Sequence, residues 1–261
     1  MNDFTKGRIV SLLTEVMERV LTRVCAESLD PAELAEVNPF GARLVPIDIW
    51  KGAKFERSFV TTLGQTVFEQ VAKIVAQGTG ATAETQYMSL LTVCTFRLER
   101  IDSILRAQRE NRSAPDWRSE VQSVKGLVND SRQDMTVISD LFVRRPDGSK
   151  EFYTMKTVKP NLDQTERAKR DMLRLVAADE TDNVFFALPY NPAGEGHPYR
   201  EAGHLMPYKL FEMDRDPCVL IGSSFWNQVG QSETVYDELL SLFEHVGSHF
   251  SHEIRRRYLG L

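Results

Sequence analysis

Asp140 and Lys156 are the two residues of this 261-residue chain whose types and spacing best suit a chemical reaction. An aspartate can hold Mg²⁺, which polarises a phosphate and lowers the pKa of an attacking water. A lysine near that water can orient or deprotonate it and offset negative charge in the transition state. Side by side, the two groups would support metal-dependent phosphodiester cleavage. An ordinary cross-strand ion pair is the alternative interpretation.

A predicted β-hairpin would bring these two residues together. Residues 135–143 and 151–158 are β-rich, and the Arg-Pro-Asp-Gly-Ser segment between them is a turn signal. A turn centred on the aspartate of that segment places Asp140 opposite Thr154. Lys156 then projects from the same face as Thr154, because side chains alternate along a strand.

A second acidic residue is expected, because Mg²⁺ prefers several oxygen ligands and Asp140 alone would hold it poorly. The usual form of such a site has Asp or Glu two residues before the lysine, where this sequence has Thr154. Glu69, in the predicted helix before the hairpin, is the substitute that we expect within about 4–6 Å of Asp140. Glu151 is the alternative acid, although its strand position places it on the face opposite to Lys156.

Charge is distributed unevenly along the chain. The net charge of −5 and the pI of about 5.7 argue, taken alone, against a nucleic-acid partner, because phosphates require a basic surface. Nine basic and five acidic residues lie between Arg144 and Arg174, which gives this segment a net charge of +4. A solvated surface is the alternative interpretation of such a cluster. Its position around the Asp140–Lys156 pair favours a phosphate-binding face.

The elements that must position the pair indicate an α/β (mixed α+β) fold with a central mixed sheet flanked by helices. A short apolar run at 184–188 predicts a buried strand beside the hairpin, and residues 38–50 are predicted to be irregular. Asp163 is the predicted N-cap of the helix that follows the hairpin. Apolar periodicity predicts helices at 8–27, 55–77, 84–110, 116–128, 163–177 and about 233–257.

No flexible linker is visible, so the sequence predicts a single domain over residues 1–261. Within it we expect a helical or irregular N-terminal segment (1–50), a core (55–190) and a C-terminal extension (190–261). No internal repeat interrupts this organisation. The extra N- and C-terminal helices are therefore expected to decorate one core.

Cysteine usage and hydropathy predict a cytoplasmic protein with no membrane segment. The three cysteines are far apart and never in a C-x-x-C pair, which favours reduced thiols over disulfides or structural zinc. Residues 1–24 carry charges throughout and do not form a signal peptide, and no apolar run has the length of a membrane span. His245, His249 and His252 have the spacing of a zinc-binding helix face, with an ordinary polar face as the alternative.

Four long segments, at 38–73, 135–173, 185–199 and 216–230, contain specific stretches such as KTVKPNLDQT and LPYNPAGEG. Together these segments resemble the TdeIII-type family of type II restriction endonucleases. The resemblance implies a PD-(D/E)xK nuclease core with Mg²⁺ as cofactor. It also implies double-stranded DNA as substrate, cleaved at a palindromic site, GGNCC. The nuclease motif maps onto Asp140 and Lys156, with Thr154 where the second acid normally stands.

Such an enzyme is expected to be a homodimer, so that two active sites cut the two strands of a symmetric site, and to work with a cognate DNA methyltransferase.

Residues 189–200 form a loop that either reads bases or is purely structural. A catalytically weak or inactive DNA-binding protein on the same core is one alternative, because Thr154 lacks a charge. A protein that binds no nucleic acid is the other. The residues predicted to contact DNA are Lys159, Asn161, Gln164, Asn191 and Arg200.

Overall fold

The centre of the fold is a mixed β-sheet, seen in a computed structural model that describes residues 1–27, 29–181 and 183–260. β1 and β2 are antiparallel, as are β2 and β3, whereas β4 runs parallel to both β3 and β5. The predicted mixed sheet flanked by helices is confirmed. In the described part of the chain its five strands have the spatial order β1 (Thr82–Cys94), β2 (Arg132–Arg144), β3 (Lys150–Met155), β4 (Val184–Leu188) and β5 (Val219–Ile221).

Along the chain, helices precede, separate and follow the strands of the sheet. The helices predicted near 8–27, 116–128, 163–177 and 233–257 are confirmed, and the one predicted at 55–77 is interrupted by a π-helical turn at Leu63–Val67. A second π-helical turn, Ile254–Leu259, follows the last helix. The α-helices of the described residues are α1 (Asp3–Ala26), α2 (Pro31–Val37), α3 (Gly41–Leu44), α4 (Ile47–Thr62), α5 (Phe68–Gln77), α6 (Thr95–Arg109), α7 (Trp117–Lys125), α8 (Leu162–Ala177), α9 (Ser223–Gly230) and α10 (Val235–Glu253).

The helix predicted at 84–110 is wrong in its first half. Residues Thr82–Cys94 form β1, and α6 begins only at Thr95. From Ser89 to Val93 buried and exposed positions alternate, which is the period of a strand with one buried face. A short apolar run fits both the helical and the strand period. Pairing with β2 along nearly its whole length decides in favour of the strand.

The segment at 38–50, predicted to be irregular, is partly helical. It contains α3 and the beginning of α4 at Ile47. Pro46 directly precedes α4, a position where its missing N–H removes no intrahelical hydrogen bond. The proline and the neighbouring Asn38-Pro39 thus mark helix boundaries here rather than a continuous loop.

Asn161, and not Asp163 as predicted, caps α8. The Asn161 side chain accepts a hydrogen bond from the Gln164 backbone N–H at 2.8 Å, and the Gln164 side chain accepts one from the Asn161 backbone N–H at 3.0 Å. This reciprocal capping box satisfies two N–H groups that have no partner inside the helix. It fixes where α8 begins relative to the end of β3.

The chain forms two compact units, residues 1–71 with 237–261, and residues 72–236. In the first unit α1 packs against α4. In the second, α6, α7 and α8 pack together, and α8 also packs on the sheet around buried side chains such as Phe142, Leu173 and Phe186. The prediction of a single domain over residues 1–261 stays a prediction. Among the described residues no helix is both long and apolar enough to cross a bilayer.

Candidate active site

The register of the β2–β3 hairpin determines which side chains meet. Leu141 pairs with Tyr153 and Arg144 with Lys150, as the predicted turn requires. Gly148 at the turn has a φ of 86°, a left-handed conformation that favours glycine. The predicted register is confirmed, and Asp140 directly precedes Leu141, the first residue of β2 that is paired with β3.

Asp140 and Lys156 are in contact. The Lys156 Nζ lies 3.1 Å from the Asp140 Oδ2, and the same oxygen accepts the Met155 backbone N–H at 2.7 Å. The other oxygen, Oδ1, lies 3.4 Å from the Gln86 Nε2 on β1. The Lys156 backbone N–H donates to the Ala187 carbonyl at 3.0 Å, so β4 holds the strand end that carries the lysine. Strands β1, β2, β3 and β4 therefore all contribute to the geometry of this pair.

The pair lies in an open cleft of about 590 Å³ between the sheet and α8. The strands and the segment after β3 contribute Gln86, Thr136, Ile138, Asp140, Thr154 and Lys156. Helix α8 contributes Gln164, Arg167, Ala168, Arg170, Asp171 and Arg174. Four cationic and two anionic side chains thus line the cleft, which gives it the net positive charge that a phosphate backbone requires.

The charges that α8 presents to the cleft differ in their surroundings. Arg167 is exposed, whereas Arg170 is engaged by Asp102 and by Glu166, the latter at 2.9 Å. The Arg174 Nη1 lies 3.2 Å from the Asp171 Oδ1. Burial raises the pKa of the Asp171 carboxyl above its ordinary value, although the neighbouring arginines oppose the shift. Asp171 is therefore a carboxylate held in an environment that does not favour its charge.

The oxygen ligands of the cleft suit a hard cation that keeps part of its water shell. Among the described residues no three His, Cys, Asp or Glu side chains converge into a preformed metal cage. Mg²⁺ does not need such a cage, because it is usually bound by one or two carboxylates together with waters and substrate phosphates. The Asp140 carboxylate at the cleft fits that description. The spacing of His245, His249 and His252 along α10 accordingly gives no group of three metal ligands in the described structure.

A comparison with known families identifies the chain. The family model described as type II restriction endonuclease, HinfI, matches residues 5–247. The chain belongs to the HinfI family of type II restriction endonucleases. Three type II restriction enzymes of Herpetosiphon aurantiacus are similar to it. HgiCII is 30% identical over 233 residues, which cover 86% of this chain and 82% of HgiCII.

The other two relatives support the same family. HgiEI is 28% identical over 235 residues, which cover 86% of this chain and 82% of HgiEI. HgiBI is 27% identical over 281 aligned positions, which cover 99% of both proteins. The resemblance stated from the sequence is therefore confirmed at the level of type II restriction endonucleases. The narrower TdeIII-type assignment stays a prediction.

Glu151, the alternative acid, is engaged elsewhere in this HinfI-family chain. Its Oε2 accepts hydrogen bonds from the Arg145 Nη2 at 2.6 Å and from the Tyr153 hydroxyl at 2.7 Å. Arg145 in turn donates to the Val229 carbonyl at 3.0 Å and to the Gln228 carbonyl at 3.1 Å. The Glu151 side chain is only 7% exposed and does not line the cleft. The structure thus does not bring Glu151 to the Asp140–Lys156 pair.

Glu69, the predicted second acid, lies in the first turn of α5 and is partly exposed. It belongs to the unit formed by residues 1–71 and 237–261, whereas Asp140 belongs to the unit formed by residues 72–236. Its place in the HinfI-family site stays a prediction.

The residues predicted to contact DNA are spread over the second unit. Asn161 and Gln164 use side-chain oxygens for the capping box of α8, and Gln164 also lines the cleft. Asn191 stabilises its own loop by accepting the Ala193 N–H at 3.0 Å and by donating to the His197 carbonyl at 2.7 Å. Lys159 and Arg200 are exposed. The Arg200 Cζ lies 5.5 Å from the centre of the Tyr208 ring, over which the guanidinium group stacks. Their contacts with DNA stay predictions.

The basic segment 144–174 was predicted from the sequence, but not which of its residues are buried and which line the cleft. Lys169 and Arg145 are buried in ion pairs, while Arg167 and Arg174 line the cleft. It also missed Asp171 as a cleft residue. The signal was available, because Gln164, Arg167, Asp171 and Arg174 fall three or four residues apart and therefore share one helix face.

Proposed function

We propose that this chain hydrolyses phosphodiester bonds of double-stranded DNA at a short palindromic site, with Mg²⁺ as cofactor. Membership of the HinfI family supports the site-specific endonuclease activity. One observation carries the assignment of the active site: the 3.1 Å contact between Asp140 and Lys156 in a cleft that α8 lines with arginines. A DNA phosphate placed there would meet cations from two sides.

Asp140 is the carboxylate that would hold the metal ion in this cleft. Bound Mg²⁺ would polarise the phosphate and lower the pKa of a coordinated water. The Met155 N–H donates to Asp140 Oδ2 and fixes the orientation of the carboxylate, so little reorganisation is needed when a ligand arrives. The sequence predicts Glu69 as a second carboxylate, and this role stays a prediction.

Lys156 would act on the water and the phosphate. Its side chain is 23% exposed and lines the cleft, where the ammonium group can donate hydrogen bonds to the attacking water and to a phosphate oxygen. The attacking water forms a new bond to phosphorus while one ester bond of the DNA backbone breaks. The positive charge of Lys156 offsets the negative charge that develops on the phosphate oxygens in the transition state.

Arg167 and Arg174 would hold the phosphates that flank the scissile bond. Guanidinium groups bind phosphate oxygens through two parallel hydrogen bonds, which fixes the strand as well as attracting it. Lys159, Asn161, Gln164, Asn191 and Arg200 are proposed DNA contacts, of which Gln164 lines the same cleft. Base readout by asparagine, glutamine or arginine would occur at the groove edges.

The narrower features of the proposal follow from the sequence resemblance. They are a PD-(D/E)xK nuclease core with Thr154 at the position of the second acid, and a TdeIII-type relationship. Homodimeric assembly, a cytoplasmic location and a cognate DNA methyltransferase are proposed with them. In a dimer each protomer would contribute one Asp140–Lys156 pair, and the two pairs would cut the two strands of a symmetric site.

Digestion of phage DNA tests the proposal directly. The purified chain is incubated with DNA and Mg²⁺, and with DNA and EDTA as the metal-free control. Discrete bands that require Mg²⁺ are expected, and run-off sequencing of their ends gives the site and the cut position. Discrete bands in EDTA would refute the metal dependence, and no bands in either condition would refute the cleavage.

A catalytically weak DNA-binding protein is the second candidate, and Thr154 favours it because this residue supplies no charge to a metal. A gel shift without cleavage, at Mg²⁺ concentrations up to the millimolar range, would support this candidate. The absence of both cleavage and a gel shift would support an interaction protein that binds no nucleic acid.

A further inference from the structure

Helix α8 has two faces with opposite roles. Gln164, Arg167, Asp171 and Arg174 line the cleft, and their spacing places them along one side of the helix. The other side is buried in the core through residues such as Met172 and Val176. The core fixes the rotation of α8 about its axis, so Asp171 faces the cleft as a consequence of how the helix packs.

A carboxylate at this position is unfavourable for a cleft that only binds phosphates. Asp171 lies between Arg167 and Arg174 in sequence, and its side chain is 20% exposed. Its negative charge repels a DNA phosphate and partly neutralises the arginines that attract it. Asp140 has the same disadvantage in the same cleft. Two carboxylates facing a phosphate site are physically reasonable where a cation lies between them and the phosphate.

We infer that Asp171, on α8, is the second carboxylate of the metal site. It would replace the Asp or Glu that such sites usually have two residues before the lysine, where this chain has Thr154. The inference rests on the proposed function and deepens it. Asp171 lines the cleft together with Asp140, Thr154 and Lys156. Ala168, three residues before Asp171, lines the same cleft with only a methyl group. Two carboxylates, waters and a phosphate oxygen complete the coordination that Mg²⁺ usually has.

The alternative is that Asp171 is merely the partner of Arg174, three residues away on the same helix. Such i,i+3 pairs stabilise a helix by only a few tenths of a kcal/mol, about 0.2–0.5. The two explanations differ in what the Arg174→Gln substitution does. If Asp171 binds the metal, removal of the adjacent cation leaves the affinity for a divalent ion unchanged or higher. If Asp171 only orders α8 through Arg174, Arg174→Gln and Asp171→Asn have the same consequences.

Mn²⁺ binding to the full-length, DNA-free protein tests the inference, with free Mn²⁺ measured by EPR. We expect Asp171→Asn to weaken binding by at least about tenfold, since even outer-shell partners of metal ligands contribute about 10- to 100-fold to metal affinity. Asp140→Asn is the positive control. Asp163→Asn is the matched control, because it is the same substitution on the same helix at an exposed residue that pairs with Arg109 at 2.9 Å. Circular dichroism and thermal unfolding confirm that each variant is folded.

The outcomes separate this inference from the proposed function. Wild-type affinity in folded Asp171→Asn would overturn the inference while leaving DNA cleavage by the wild type intact. The same holds if Glu69→Gln loses the ion and Asp171→Asn keeps it. Cleavage by a wild-type protein that binds no Mn²⁺ would also overturn it, because two carboxylates in one cleft should hold the ion before DNA arrives. A wild type that neither binds Mn²⁺ nor cleaves DNA would overturn the proposed function and the inference with it.

Discussion

The β2–β3 hairpin carries two carboxylate–cation pairs that differ mainly in burial. In the Glu151–Arg145 pair the side chains are 7% and 2% exposed. In the Asp140–Lys156 pair they are 18% and 23% exposed. The same kind of contact therefore occurs once in the interior and once at the wall of a cleft.

The two pairs also differ in how completely their hydrogen bonds are satisfied. Glu151 accepts from Arg145 and Tyr153, and burial raises the pKa of the Tyr153 phenol well above its ordinary value, so this hydroxyl remains a donor. Asp140 has both of its shorter contacts on Oδ2, while Oδ1 has a 3.4 Å contact with Gln86. The interior pair is organised for stability, and the cleft pair retains capacity for a ligand.

Helix α8 repeats this contrast along its length. Lys169 is fully buried, forms an ion pair with Glu120 at 2.6 Å and donates to the Leu210 carbonyl. Asp171, two residues later, lines the cleft. The buried charge ties the helix to α7 and to the segment after β4, and the cleft charge is positioned by that attachment.

The largest expected effect is the loss of cleavage in Lys156→Ala. Removal of a group that assists proton transfer and offsets transition-state charge typically lowers the rate by about 10²- to 10⁴-fold. The pair is partly exposed, so thermal stability should change little. Initial cleavage rates under Mg²⁺ and DNA binding without Mg²⁺ are the measurements, and binding should persist because the arginines of α8 remain.

Lys150→Ala is the matched control for this substitution. Lys150 lies on the same hairpin and pairs with Glu180 at 2.7 Å, outside the cleft that holds Asp140. It should cleave DNA like the wild type. An unchanged rate in Lys156→Ala would remove the lysine from the mechanism and make the two hairpin pairs equivalent.

The second prediction concerns the interior pair. Glu151→Gln leaves Arg145 buried without its counter-charge, and breaking a buried ion pair in this way costs about 3–5 kcal/mol of stability. The folded fraction should nevertheless keep most of its specific cleavage activity. Urea unfolding gives the free energy, and cleavage rates normalised to folded protein give the activity. A stable but inactive Glu151→Gln variant would contradict the assignment of Glu151 to structure.

The hairpin could be predicted from sequence because its information is local. The turn signal fixes the register, and that register places Asp140 opposite Thr154, next to the Leu141–Tyr153 pair. β1 could not be predicted in the same way, since its apolar run fits a helix as well as a strand. Its partner, β2, is separated from it in the chain by α6 and α7. The pairing of β1 with this distant strand determines that residues 82–94 form a strand rather than a helix.

The content of the cleft was only partly predictable for the same reason. Asp140 and Lys156 are joined by local structure, whereas Asp171 and Arg174 reach the cleft through the packing of α8 on the sheet. The sequence shows that these charges share a helix face but not what that face meets. Asn161 was predicted only as a DNA contact, but in the structure its side chain caps the beginning of α8.

A third prediction uses the pH dependence of the buried charge on α8. Burial lowers the pKa of Lys169 below its ordinary value of 10.5, despite the opposing effect of Glu120. Between the folded and unfolded pKa values the unfolded chain binds the proton and the folded chain does not, so this residue makes stability rise with pH. The contribution is at most about 1.4 kcal/mol per pH unit.

Lys169→Met isolates that contribution, because the methionine does not titrate. The difference in unfolding free energy between wild type and Lys169→Met should shift in favour of the wild type as the pH rises towards 10.5, the ordinary pKa of lysine. Urea titrations at several pH values measure it. A difference that moves the other way would mean that Glu120 holds the Lys169 pKa above its ordinary value, as in an exposed pair.

The smallest expected effect separates structure from DNA contact at Asn161. Asn161→Ala should lower stability by about 1 kcal/mol, because it removes the side chain that accepts the Gln164 N–H at the start of α8. Asn161→Ser should restore most of that loss, since serine caps helices nearly as well as asparagine. Thermal unfolding measures both. DNA affinity then completes the comparison, because Asn161→Ser keeps the cap and removes the amide. A weaker affinity in this variant would support the predicted DNA contact, and wild-type affinity would leave Asn161 with its structural role alone.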